Sequence, residues 1–208
     1  MQPIDQILAN KIVAIVRLDE YSKAVDVARA LAKGGVNVLE FTLTGTGAID
    51  AIGAVRDALG DAVCVGVGTA LQPDDAHAAI DAGAQFVVTP AVRPKVIAAC
   101  VNRNTLVLSG GFTPTELLDA YEAGSQLVKL FPAQAAGPRY LRDVLAPLPF
   151  LKLVPTGGVS ADNVREYLNA GAIAVGMGGN LVSNKRVAAA DWDQITATAR
   201  ASVAAVQG

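Results

Sequence analysis

The chain has 208 residues, 52% of them hydrophobic and 17% charged, with 19 acidic against 17 basic side chains and a formal charge of -2. That composition fits one domain with a large core and argues against a disordered chain and against a general binder of nucleic acid or anionic membranes. Two distant cysteines, Cys64 and Cys100, give no disulfide framework or metal-ligand spacing and suit a reducing cytoplasm, while the N-terminal MQPIDQILANK lacks the apolar run of a signal peptide and no stretch reaches the ~18 apolar residues of a membrane helix.

Residues 1–10 read as an N-terminal helix. KIVAIVR then opens an alternation of short β-branched runs with longer Ala-rich stretches of helical spacing, the mark of an α/β chain. Strands are expected at 12–17, 36–43, 62–67, 85–89, 105–109, 126–131, 151–155 and 173–176, with helices between them and one after the last. Thr113, Pro114 and Glu116 supply an N-cap, a first-turn proline and a capping box, and Ser160 is expected to cap the helix that runs to Asn169. Four helices should end on a glycine that takes the left-handed turn: Gly35, Gly83, Gly124 and Gly171. These are separated by 48, 41 and 47 residues, about two βα units each, so the repeat marks every second strand. A (β/α)8 TIM barrel over residues 1–208 explains that quarter-turn period, and its active site would lie at the C-terminal ends of the strands. The alternative is an open doubly wound sheet, which the missing GxGxxG after strand 1 disfavours.

Five residues past each repeat glycine stand Glu40, Val88 beside Thr89-Pro90, Lys129 and Gly176. Glu40 and Lys129 therefore reach equal heights on strands 2 and 6, opposite each other in a ring of eight. A lysine inside SQLVKLFPA occupies a strand that should be uniformly apolar; burial would lower its pKa and free a neutral amine for Schiff-base formation. The alternatives are a lysine snorkelling to water or one that binds a phosphate as a point charge. Glu40, inside NVLEFTL, is either a proton carrier with a raised pKa or half of a structural ion pair. PTGG at 155–158 and GMGG at 176–179 match the phosphate loops of such barrels, though glycines also simply make tight turns. Arg17 at the end of strand 1 suits a carboxylate grip and, like Thr69 after strand 3, would point to the mouth; either could equally be a surface or turn residue. The single histidine, His77, lies in a helical stretch, and metal-dependent chemistry would call for more.

VLEFTL, GVGTAL, FVVTPAV, LVKLFPA, VPTGGV and GMGG, in this order, resemble the 2-keto-3-deoxy-6-phosphogluconate and 4-hydroxy-2-oxoglutarate aldolases, together with the related 6-phosphogalactonate enzymes. The similarity runs from about Lys11 to about Ser183. It implies a homotrimeric class I aldolase that uses no metal or cofactor and cleaves a 2-keto-3-deoxy-6-phospho sugar acid into pyruvate and glyceraldehyde 3-phosphate. By position, the resemblance makes Lys129 the Schiff-base residue and Glu40 the general acid/base. Thr69 and Pro90 would flank the pyruvyl moiety, with Phe131 beside the lysine. Thr156, Gly157, Gly158, Gly178 and Gly179 would hold the substrate toward its phosphate, and Arg17 its carboxylate. Two positions depart from the pattern: Thr44 replaces an arginine in a TLRT-like segment, and the usual GGSW ending reads GGNL with Asn180 and Leu181. Those departures leave open a galactonate epimer or unphosphorylated 4-hydroxy-2-oxoglutarate as substrate. Setting the resemblance aside, the glycine loops would also suit a phosphate-binding barrel epimerase or isomerase, or a silent sugar-phosphate binder.

Overall fold

The computed structural model describes all 208 residues and contains eight parallel strands in a ring. Helix α1 (Pro3–Asn10) leads into β1 (Ile12–Val16), α2 (Ala24–Lys33), β2 (Val38–Thr42), α3 (Ala48–Leu59) and β3 (Cys64–Gly68). The alternation continues through α4 (Pro73–Asp81), β4 (Phe86–Val88), α5 (Pro94–Asn102), β5 (Leu106–Gly111), α6 (Pro114–Glu122) and β6 (Leu127–Leu130). It closes with α7 (Gly137–Leu145), β7 (Leu153–Pro155), α8 (Val164–Asn169), β8 (Val175–Met177), α9 (Asn184–Ala188) and α10 (Trp192–Gln207). Strands neighbour one another in sequence order, and β8 returns to pair with β1. A single bridge, Thr156 to Gly176, joins β7 to β8 and completes the barrel, so the open-sheet alternative falls.

Alternation along each strand divides the interior in two. Inward residues such as Val13, Val38, Phe86, Leu127 and Val154 fill the barrel, and Ile7 of α1 seals its lower end. Outward residues such as Leu39, Val65, Val87 and Val128 pack under the helices in a much larger layer. No helix is long and apolar enough to cross a membrane.

The four repeat glycines all take the left-handed turn, with φ of +90° at Gly35, +102° at Gly83, and +109° at Gly124 and Gly171. After each, the next residue's N–H reaches back to a carbonyl in the last helical turn, as Ser125 does to Ala120 at 3.0 Å. Asn104, at φ +50°, makes the same ending for α5 without a glycine. Thr113 and Glu116 form the expected capping box on α6.

Ser160 departs from expectation. Its hydroxyl accepts from Asp162 N–H within a turn, and regular helix begins only at Val164, behind Asn163. Strand β5 also runs two residues further than the apolar pattern suggests, because Gly110 lies against the Pro90 backbone with no room for a Cβ.

Candidate active site

At the C-terminal end of the barrel, Glu40 and Lys129 project inward from β2 and β6 at 2% and 5% exposure. The lysine does not snorkel to solvent. Its Nζ lies over the Phe131 ring, 5.1 Å from the centre, within cation–π distance. Neither residue takes part in a salt bridge, so the structural ion pair is not formed. The Oε1 atom of Glu40 is buried without any hydrogen-bond partner. Such an atom costs stability where it stands and is free to meet a reacting group.

Electrostatics follow from burial. Desolvation pushes the Glu40 carboxyl above the ordinary carboxylate range, opposed by the positive charges of Lys129 and Arg17. The same effect draws the Lys129 ammonium below the ordinary lysine range; the Glu40 charge opposes this and Arg17 reinforces it. Two ionisable groups are thereby both moved toward neutrality in one water-poor chamber.

Above them opens a cleft of about 470 Å³ between the β1, β7 and β8 ends. Arg17, Phe131 and Thr156 line one part of it, and Gly157, Gly158, Gly178 and Gly179 another. The N–H groups of Gly157, Gly158, Val159, Gly178, Gly179 and Asn180 donate to no protein acceptor. Six unused donors around one concavity, with a guanidinium beside them and no carboxylate among the lining residues, suit an anionic ligand. Gly157 and Gly158, both lining the cleft, hold φ of +94° and +79°, a backbone shape other residues rarely adopt.

Thr69 and Pro90 sit half-buried on the rim, after β3 and β4, outside that cleft. Thr69 holds φ +63°, a strained value for a β-branched residue and one that structures tolerate mostly at functional loops. Thr89 is committed to the framework: its hydroxyl donates to Ala91 O at 2.7 Å and accepts from Gly110 N–H at 3.2 Å. His77 lies on α4, and no three His, Cys, Asp or Glu side chains are grouped to hold a metal ion.

Two lining residues, Ser183 and Asn184, are not among the sequence candidates, and Asn180, there a departure from the family pattern, lines the cleft with them. Asn180 Nδ2 donates to Val159 O at 3.3 Å and so ties the two glycine loops together. Asn184 Oδ1 accepts from Asp19 N–H at 3.1 Å, joining the β8 loop to the β1 loop across 165 residues of sequence. Thr44 is exposed and its hydroxyl pairs with that of Thr42 at 2.9 Å. The two inward glycines of β3, Gly66 and Gly68, carried a readable sign in GVG, since strand interiors rarely hold two glycines at a spacing of two.

An amine whose burial favours the uncharged form, a carboxyl whose burial favours the protonated form, and a cleft suited to an anion together fit covalent chemistry at the carbonyl of an anionic substrate. Comparisons with known proteins agree. The family model "KDPG and KHG aldolase" matches residues 4–198. A 2-dehydro-3-deoxy-phosphogluconate aldolase of Treponema pallidum is 36% identical over 188 residues, covering 90% of this chain and 89% of that protein. Among solved structures, a KDPG aldolase of Legionella pneumophila, with pyruvate captured as a covalent carbinolamine, superposes with a TM-score of 0.89 at 29% identity, over 97% of this chain and 98% of that one. A native KDPGal structure gives the same TM-score at 30% identity, over 94% of each chain.

Proposed function

The chain belongs to the KDPG and KHG aldolase family, and from that membership we propose the reaction it performs: reversible cleavage of 2-dehydro-3-deoxy-6-phosphogluconate into pyruvate and glyceraldehyde 3-phosphate. The observation that carries this reading is the buried, unpaired Lys129 facing a carboxyl with an unpartnered oxygen. The Lys129 Nζ lone pair attacks C2 of the substrate, and the carbinolamine loses water to give an iminium. Glu40 accepts the proton of the C4 hydroxyl, the C3–C4 bond breaks, and its electron pair enters the iminium to form an enamine. The aldehyde leaves. Glu40 then returns a proton to C3, and water releases pyruvate and restores the amine.

The remaining roles follow the cleft. The amides around Gly157, Gly158, Gly178 and Gly179 receive the phosphate, Thr156 and Phe131 line the passage down to Lys129, and Thr69 and Pro90 flank the pyruvyl end. Arg17, whose charge is felt by both Glu40 and Lys129, holds the substrate carboxylate. A homotrimer is the proposed assembly; the exposed Tyr121 and Phe150 rings, 5.1 Å apart, support a surface that a second copy covers. Two unpaired buried cysteines support a reducing cytoplasm.

Borohydride reduction in the presence of pyruvate is expected to fix a carboxyethyl group on Lys129, located by peptide mass spectrometry. Lys129→Ala should give no adduct and lose all measurable cleavage; retained cleavage would overturn the reading. Because Thr44 and Asn180 offer no cation, cleavage of the galactonate epimer or of 4-hydroxy-2-oxoglutarate is the second reading. Comparing kcat/KM for the three substrates decides it, and a preference for 4-hydroxy-2-oxoglutarate would unseat the phosphate assignment.

A further inference from the structure

Glu40 is paired in register with Gly66 of β3, yet its side chain leans along the strand toward the mouth, so that the carboxyl lies over Gly68 instead. A methyl group built on Gly68 would overlap Glu40 Oε1, come to 2.6 Å from Cδ and stand 2.8 Å from Cγ. The carboxyl group therefore occupies the space that any other residue at 68 would fill. Gly68 does not need to be glycine for its own backbone, since its φ is not in the left-handed region, and the position is fully within β3. Its neighbour Gly66 shows the same device with a different tenant, the Phe86 ring.

We propose that Gly68 is a positioning residue: its missing side chain is the seat of the Glu40 carboxyl and fixes the height at which that group meets the carbon chain bound to Lys129. Two observations support this beyond packing. The Oε1 atom that rests on Gly68 is the buried one with no hydrogen-bond partner, so no hydrogen bond holds it and the fit against Gly68 limits how far down the strand it can sit. The site on the other side is also closed to alternatives, because Thr42, the next inward residue of β2, is fully buried and its hydroxyl is held by Tyr21 Oη at 3.1 Å. A carboxyl displaced from Gly68 has no second polar berth along its own strand. The inference rests on the assignment of proton transfer to Glu40 made above.

The test is a set of variants read by kcat, KM and exchange of the pyruvate methyl protons with deuterated water. Gly68→Ala should lower kcat and the exchange rate by about 100-fold or more, within the range of a lost general base, while KM changes less than threefold. Shortening the carboxyl by one methylene removes the overlaps at Oε1 and Cδ and leaves the 2.8 Å approach at Cγ, which a small χ1 rotation of the aspartate relieves. Glu40→Asp in the Gly68→Ala background should therefore recover activity above that of Gly68→Ala alone, although Glu40→Asp by itself is a loss. Recovery of this kind is not expected of a glycine that merely packs. Should Gly68→Ala not fold, the Glu40→Ala/Gly68→Ala chain must fold, because the overlap is gone. Wild-type kcat in folded Gly68→Ala, losses that simply multiply in the double variant, or an unfolded Glu40→Ala/Gly68→Ala chain each overturn the proposal. If Glu40→Gln retains full turnover, the proton-transfer assignment has failed, and that result is distinct from an active Gly68→Ala beside an inactive Glu40→Gln.

Discussion

Folded Glu40 keeps its proton at pH values where the unfolded carboxyl has lost it, because burial raises its pKa. The unfolded chain therefore binds fewer protons, and stability falls as pH rises from the ordinary glutamate value of about 4.3 through the raised folded value. For Lys129 the sign reverses. Its folded pKa is lowered, so stability falls as pH drops from about 10.4 toward that lowered value. Glu40→Gln should accordingly raise Tm at pH 7, with the gain fading as pH approaches 4, while kcat drops by about 10²–10⁴-fold. Calorimetry across pH together with turnover checks both halves. Arg17 lowers the pKa of both partners, so Arg17→Gln should move the acid limb of imine trapping on Lys129 to higher pH. A limb that stays in place would show that the Arg17 charge does not reach the amine.

At the scale of elements, the glycine turns carry the fold's punctuation. Gly124→Ala forces an alanine to φ +109° and presses its methyl against Val101, so chemical denaturation should show a loss of about 1–2 kcal/mol with kcat unchanged. That period of glycines is also why the ring could be read from sequence: it located every second strand and placed Glu40 and Lys129 at equal heights. Where the same turn uses Asn104, the pattern was silent. Strand ends were misjudged where glycine answers to a neighbour, as Gly110 does to Pro90, because that neighbour is invisible in one dimension. The role of Asn184 and the bond that Asn180 makes escaped for the same reason: their partners, Asp19 and Val159, reach them only after the ring has closed. Chemistry written against the local pattern, a lysine or glutamate inside an apolar strand, was legible; geometry made by closure was not.

Across the whole molecule, the two ends of the barrel divide the labour. The lower end is sealed by apolar packing under α1, where Ile7 is completely buried. Ile7→Ala should cost about 2–5 kcal/mol in denaturant unfolding and leave kcat at its wild-type value, since no group at that end touches the mouth. The upper end holds the uncompensated carboxyl, the strained Thr69 and the open amides. Stability is thus concentrated away from the place where it would obstruct chemistry.

Ring closure itself adds a further consequence. Seven seams of the barrel are laced by two or more registered pairs, whereas β7 and β8 share the one Thr156–Gly176 bridge and, below it, a hydrogen bond from Ile173 N–H to Leu153 O at 3.1 Å. The anion cleft straddles that loosest seam, with amide donors contributed from both of its banks. An occupant that bridges both banks would act as a rivet, adding contacts across the seam with the fewest registered pairs, and by linkage its binding would stabilise the closed ring.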